Sequence, residues 1–178
     1  MRADAQRNLD RVLGAAAECF AEHGVDVTVD EVARRAGVGH GTVFRRFPTK
    51  EALLDAVLGK ELDRMVLLAQ AALTEDDAGA GFELFFRAVA DGYARNRALV
   101  ESKERCQELP QMPVLQEAAH EIVRRAQKAG ALRRDLDAEQ VFDLVPAASA
   151  YPDVILDGLR GQPGVKRLRP ETRSVLGR

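Results

Sequence analysis

The sequence predicts an all-α protein: an N-terminal three-helix unit containing a helix-turn-helix, followed by a larger helical bundle. Apolar residues recur at steps of three and four almost throughout, the period of a helix with one buried stripe. No stretch alternates apolar and polar residues over the length of a β-strand. The segment Thr28–Lys50, TVDEVARRAGVGHGTVFRRFPTK, reads as helix, glycine turn, second helix and proline stop.

Each element has a local reason. From Asp4 to His23, Leu9, Val12, Leu13, Ala16 and Phe20 form one stripe, and Gly24 supplies a C-terminal stop. Thr28 and Glu31 make a T-x-x-E capping box. Val29, Val32, Ala33 and Ala36 share the inner side of that helix. Asp30–Arg34 and Glu31–Arg35 stand four apart on the outer side, the spacing of intrahelical ion pairs. Gly37 makes the turn, where a positive φ is easy for glycine. A third helix runs from about Gly39 to Phe47. Pro48 ends it and Thr49 caps the next.

A long helix follows from Lys50 to about Leu73, then a polar, glycine-bearing loop over 74–81, TEDDAGAG. Phe82, Phe85, Phe86, Val89 and Tyr93 mark another amphipathic helix, ending near Asn96. A shorter helix covers about 98–108, and a further one spans 114–129 before Gly130. Asp137 or Ala138 opens a helix that Pro146 bends, and Pro152 opens the last. The end, 161–178, holds five basic residues against one acid and reads as a poorly ordered tail. The expected organisation is a helix-turn-helix domain over 1–50, a helical domain over 51–160 and the tail.

Bulk composition narrows the function. Net charge is −2 over 178 residues, so any nucleic-acid site must be local rather than global. There is no signal-peptide pattern and no run long enough to span a membrane, which makes the cytoplasm the expected location. Cys19 and Cys106 are too few for a disulfide framework. His23, His40 and His120 are scattered, with no Cys/His metal spacing, G-x-S-x-G or phosphate loop. The expectation is a protein that is not an enzyme and needs no metal or cofactor.

On the third helix, Val43 and Phe47 fall on one side, flanked by His40 and Phe44, and Gly41, Thr42, Arg45 and Arg46 on the other. The first set can pack inward. Gly41 lets backbone approach DNA, Thr42 suits a phosphate or a thymine methyl, and Arg45 suits guanine or a phosphate. Arg46 and Lys50, at the helix end and the next helix start, suit phosphates. The amides opening the Thr28 helix offer another phosphate site.

The order of motifs is F-x-x-x-G, T-x-x-x-V-A-x-x-A-G-V, then G-T-V-F-x-x-F-x-x-K-E-x-L. It closely resembles the DNA-binding domain of TetR-family transcriptional regulators over about residues 7–60. By position, the resemblance implies contacts to double-stranded DNA from Thr28, His40, Gly41, Thr42, Phe44, Arg45, Arg46 and Lys50. Phe44 departs from the family's usual tyrosine and cannot donate the phosphate hydrogen bond that a hydroxyl would. The resemblance also implies a C-terminal domain that binds a small-molecule effector, and a homodimer made by the last two helices. Pocket candidates are Met65, Phe85, Phe86, Tyr93, Cys106 and Met112. Dimer candidates are Val141, Leu144, Val145, Val154, Ile155 and Leu159. Those last helices are shorter than is usual in the family. Together these imply a repressor on a near-palindromic operator, with a helical adaptor that has lost DNA binding as the alternative.

Overall fold

The computed structural model describes residues 2–161; the tail read from the sequence lies outside them apart from Gly161. Among the described residues there are eleven α-helices and no strand beyond one isolated bridge between Leu132 and Arg160. Helix α1 is Arg2–His23, followed by a 3₁₀ turn over Gly24–Asp26, α2 (Val29–Ala36) and α3 (His40–Arg46). The body comprises α4 (Lys50–Thr74), α5 (Ala78–Arg95), α6 (Arg97–Glu101), α7 (Lys103–Gln107) and α8 (Met112–Lys128). It closes with α9 (Ala138–Asp143), α10 (Val145–Ala148) and α11 (Pro152–Leu159).

Helix α4 is the spine. It packs on α5, α8 and α1. Helix α1 in turn touches α2 and α6. Buried residues of the first three helices, such as Phe20, Val32 and Val43, join one apolar cluster with Leu53, Leu58 and Phe86 of the body. The core therefore runs through the division expected at residue 50. No helix among the described residues is long and apolar enough to cross a membrane.

Three boundaries differ from the sequence reading. Helix α5 begins at Ala78, inside the expected loop, because the Asp77 carboxylate accepts from the amides of Gly79 and Ala80. Its glycines serve close packing rather than a loop: a Cβ on Gly79 would stand 2.7 Å from that of Ala131, and one on Gly81 2.5 Å from the Ala72 carbonyl oxygen. The helix expected over 98–108 breaks at Ser102, whose φ of −117° and ψ of 32° leave the helical region. Near Pro146 the chain breaks rather than bends: α9 ends and α10 starts with the proline in its first turn, where its missing N–H costs nothing.

Candidate nucleic-acid interface

The reading head is built by short-range devices. Thr28 Oγ1 accepts from the Glu31 amide, and the Glu31 carboxylate accepts from the Thr28 N–H at 2.7 Å, closing the capping box. These hydrogen bonds from Thr28 hold the Glu31 carboxyl below its usual range. At the other end Gly37 takes φ 64°, and the amides of Gly37 and Val38 return to the carbonyls of Arg34 and Ala33. That is a Schellman stop. It turns the chain so that α3 packs on α2 through fully buried Val43, with Phe47 buried just beyond the helix. Thr49 Oγ1 then accepts from the Ala52 amide and starts α4.

Helix α3 presents His40, Gly41, Phe44, Arg45 and Arg46 to solvent, while Thr42 is half-buried. Between Thr28 and Lys50 there are five basic residues against two acids, so the head is locally basic although the chain is not. The rings of His40 and Phe44, one turn apart, stack at a centroid separation of 5.8 Å. His40 lies close to the buried side of the wheel, yet its side chain stays exposed because it sits in the helix's first turn. Its Nδ1 meets the Asp30 carboxylate of α2. The Arg45 Nε–H donates to the Gly41 carbonyl of its own helix at 3.0 Å. Arg46 has no hydrogen bond or ion pair among the described residues.

Two expected contacts are occupied from within the protein. Thr28 is bonded to Glu31 through both its amide and its hydroxyl. The Glu31 carboxylate thus stands where a phosphate would approach the α2 N-terminus. Lys50 Nζ donates to the Val25 carbonyl at 2.8 Å and is partly buried.

The intrahelical pairs expected on α2 do not form. Arg35 instead donates to Glu22 of α1 at 2.9 Å and lies 3.8 Å from Glu18. Glu31 is consumed by the cap, and Asp30 by His40. Asp30 and Arg35 thus meet partners outside the helix, and Glu31 meets its own cap. Residues that sequence reasoning missed are Asp30 as partner of His40, and Arg97 and Glu101 of α6. Glu101 accepts from the Val25 amide at 2.8 Å, across 76 residues of sequence that carry no local signal.

A short outward-facing α3 carrying arginines, locked to α2 by a glycine turn and to the body by α4, is the geometry of a DNA-reading helix-turn-helix. Residues 12–57 match the family model for bacterial regulatory proteins of the tetR family. A solved TetR transcription regulatory protein from Mycobacterium vanbaalenii is 38% identical, with 89% of this chain and 98% of that one covered and a TM-score of 0.66. The chain belongs to the TetR family. An HTH-type transcriptional regulator of Mycobacterium bovis is 41% identical over 71 residues, covering 39% of this chain and 36% of that one. An HTH-type transcriptional repressor of Mycobacterium tuberculosis is 39% identical over 87 residues, 46% of each chain. The match thus spans about a third to a half of these curated relatives.

In this TetR-family body the candidate pocket residues separate into two groups. Met65, Phe85, Phe86 and Cys106 are buried. Phe86 stacks with Phe82 at 5.5 Å, and Phe142 closes on both Phe85 and Phe86, so these phenylalanines fill core. Tyr93 and Met112 are half-buried. Burial pushes the Tyr93 phenol and the Cys106 thiol up. Near them in sequence, Gln111 packs its amide against Gly59 of α4, and its Oε1 is buried with no partner among the described residues. A separate cleft of about 300 Å³ is lined by Phe82, Leu132, Leu156 and Arg160 among others, and by none of the six candidates.

The dimer candidates separate too. Val141, Val145 and Leu159 are buried within the protomer. Leu144 and Ile155 are partly buried, and Val154 is 69% exposed beside exposed Tyr151. The periodicity located an apolar stripe on these helices, but that stripe packs on the chain's own core.

Proposed function

We propose that this chain is a one-component transcriptional repressor in the cytoplasm. A homodimer binds a near-palindromic operator and releases it when a small molecule enters the body. The observation that carries this reading is the exposed ridge of α3, where Gly41, Phe44, Arg45 and Arg46 stand together on a helix anchored by Val43. Arg45, tied to its own helix at Gly41, swings outward to pair with guanine O6 and N7. Gly41 leaves room for a close approach. Arg46 and Lys50 hold the flanking phosphates, the ammonium of Lys50 having donors to spare beyond the Val25 carbonyl. Thr28 and Thr42 contribute at the rim, and His40 reads a base edge from its stack on Phe44.

The dimer places two copies of α3 in successive major grooves about 34 Å apart. Its face centres on Tyr151 and Val154, with Leu144 and Ile155 at the edge. The effector is mostly apolar and carries at least one hydrogen-bond donor, which the unpartnered Gln111 Oε1 would accept. By linkage, DNA weakens effector binding by the factor with which effector weakens DNA binding.

Two observations favour a second reading, a helical adaptor without DNA binding: Phe44 has no hydroxyl, and α9–α11 are short. A mobility-shift assay on duplexes recovered from random DNA separates the two. The repressor reading requires a retarded band that Arg45→Ala removes or weakens at one base position. An adaptor gives no band at any protein concentration short of aggregation.

A further inference from the structure

The Val25 backbone, in the turn between α1 and α2, is held through both its N–H and its carbonyl, which belong to the two successive peptide groups flanking its Cα. Its N–H donates to Glu101 Oε2 of α6 at 2.8 Å, and its carbonyl accepts from Lys50 Nζ at 2.8 Å. The other carboxylate oxygen of Glu101 accepts from Arg97 Nε. The neighbouring Gly24 is buried with φ 67°, and a Cβ there would overlap the Glu101 carboxylate. Glycine at 24 thus both makes the turn and admits the α6 carboxylate. Two charge-assisted hydrogen bonds thus link the body, through the backbone of one residue, to the first residue of α4, beside α3.

We propose that Glu101 is a positioning residue for DNA binding: by holding the Val25 N–H it seats this residue's backbone, and with it the carbonyl that aims the Lys50 ammonium at a DNA phosphate. An ammonium has three donors. The Val25 carbonyl takes one and orients the other two, so the side chain loses less freedom when a phosphate arrives. The inference rests on the DNA-binding reading above. It also gives the body a lever, since a shift of α6 would loosen Lys50 without touching α3.

Electrostatics alone gives the opposite sign. A carboxylate close to a polyanion weakens its binding, so removing Glu101 should tighten it. That makes the test decisive. Full-length protein is titrated with a duplex recovered by selection, over a series of salt concentrations, for wild type, Lys50→Ala, Glu101→Ala, Glu101→Asp and the double variants. Glu101→Ala is expected to weaken binding about two- to tenfold and to reduce the salt slope by about one per subunit. In the Lys50→Ala background it is expected to cause no further loss. Glu101→Asp keeps the charge and draws the carboxylate back by one methylene; it too should weaken binding only when Lys50 is present, and it serves where Glu101→Ala fails to fold. Tighter binding by Glu101→Ala, an unchanged affinity for Glu101→Asp, or equal losses in both Lys50 backgrounds would overturn the proposal. A wild type that binds no duplex defeats the DNA-binding reading together with this one.

Discussion

The reading head and the last three helices are built by different rules. From Thr28 to Lys50, every boundary is set by a partner three to five residues away: the Thr28–Glu31 box, the Gly37 and Val38 amides turning back on α2, the Thr49 cap. From Ala138 to Leu159, Asp137 and Gln140 open α9 with a capping box of their own, but the packing of these helices is set at long range. Arg87 of α5 donates to Asp153 at 2.7 Å, the Arg133 amide to the Leu159 carbonyl at 3.0 Å, and Phe142 closes on Phe85 and Phe86. Short-range devices fix a shape regardless of what it will touch, which suits a surface that must present itself to DNA. Long-range ones fix a shape only as part of a core.

This contrast can be broken most forcefully with two phenylalanines. Phe86 is fully buried in the body and Phe44 is 51% exposed on α3. Phe86→Ala should cost about 3–5 kcal/mol of stability in a denaturant titration, whereas Phe44→Ala should stay within about 0.5 kcal/mol. Equal losses would mean that the two regions are not packed as described.

Arg45→Ala should cost about 1–3 kcal/mol in DNA binding and relax preference at one base position in each half-site, with the melting temperature unchanged. In the C-terminal region, Val154→Glu should weaken the dimer by about 1.4 kcal/mol or more, a tenfold change readable by sedimentation. Unaltered association would move the interface away from α11. Phe44→Tyr restores a hydroxyl on the exposed ridge and should strengthen DNA binding by about 0.5–1.5 kcal/mol per subunit. No gain would show that no phosphate lies within its reach.

The smallest effect is in pH. Hydrogen bonds from Thr28 lower the Glu31 carboxyl, and the Val25 amide, then Arg97, lower that of Glu101. A carboxyl lowered in the folded state contributes stability above its unfolded value, and loses it as pH falls through the folded one. Stability from these two groups should therefore be flat from neutrality to about pH 5. It should decline below the usual glutamate value of about 4.3, with a smaller decline in Glu31→Gln. A decline already at pH 6 would place the titration elsewhere.

What could be read in the sequence follows the same division. The capping box, the Gly37 turn, the Thr49 cap and the inward Val43 and Phe47 all lie within a few residues of their causes. Spacing shows who can meet, not who meets better: Arg35 turns to Glu18 and Glu22 of another helix, and Asp30, four residues before Arg34, turns to His40. Gly79 and Gly81 signalled a loop, but they mark close helix approach. Val141, Val145 and Leu159 have the right period for an interface, and period cannot say whether the covering surface is another chain or this one. The Glu101–Val25 contact has no sequence signal at all.

The central claim is that α3 reads a two-fold symmetric DNA site. It is tested most directly by selecting bound duplexes from a random pool and sequencing them. The expected result is a near-palindrome whose half-sites are centred about one helical turn or somewhat more apart, with the preference at one position in each half lost in Arg45→Ala. Recovery of no common motif, or of a single unrepeated half-site that is indifferent to Arg45, would contradict it.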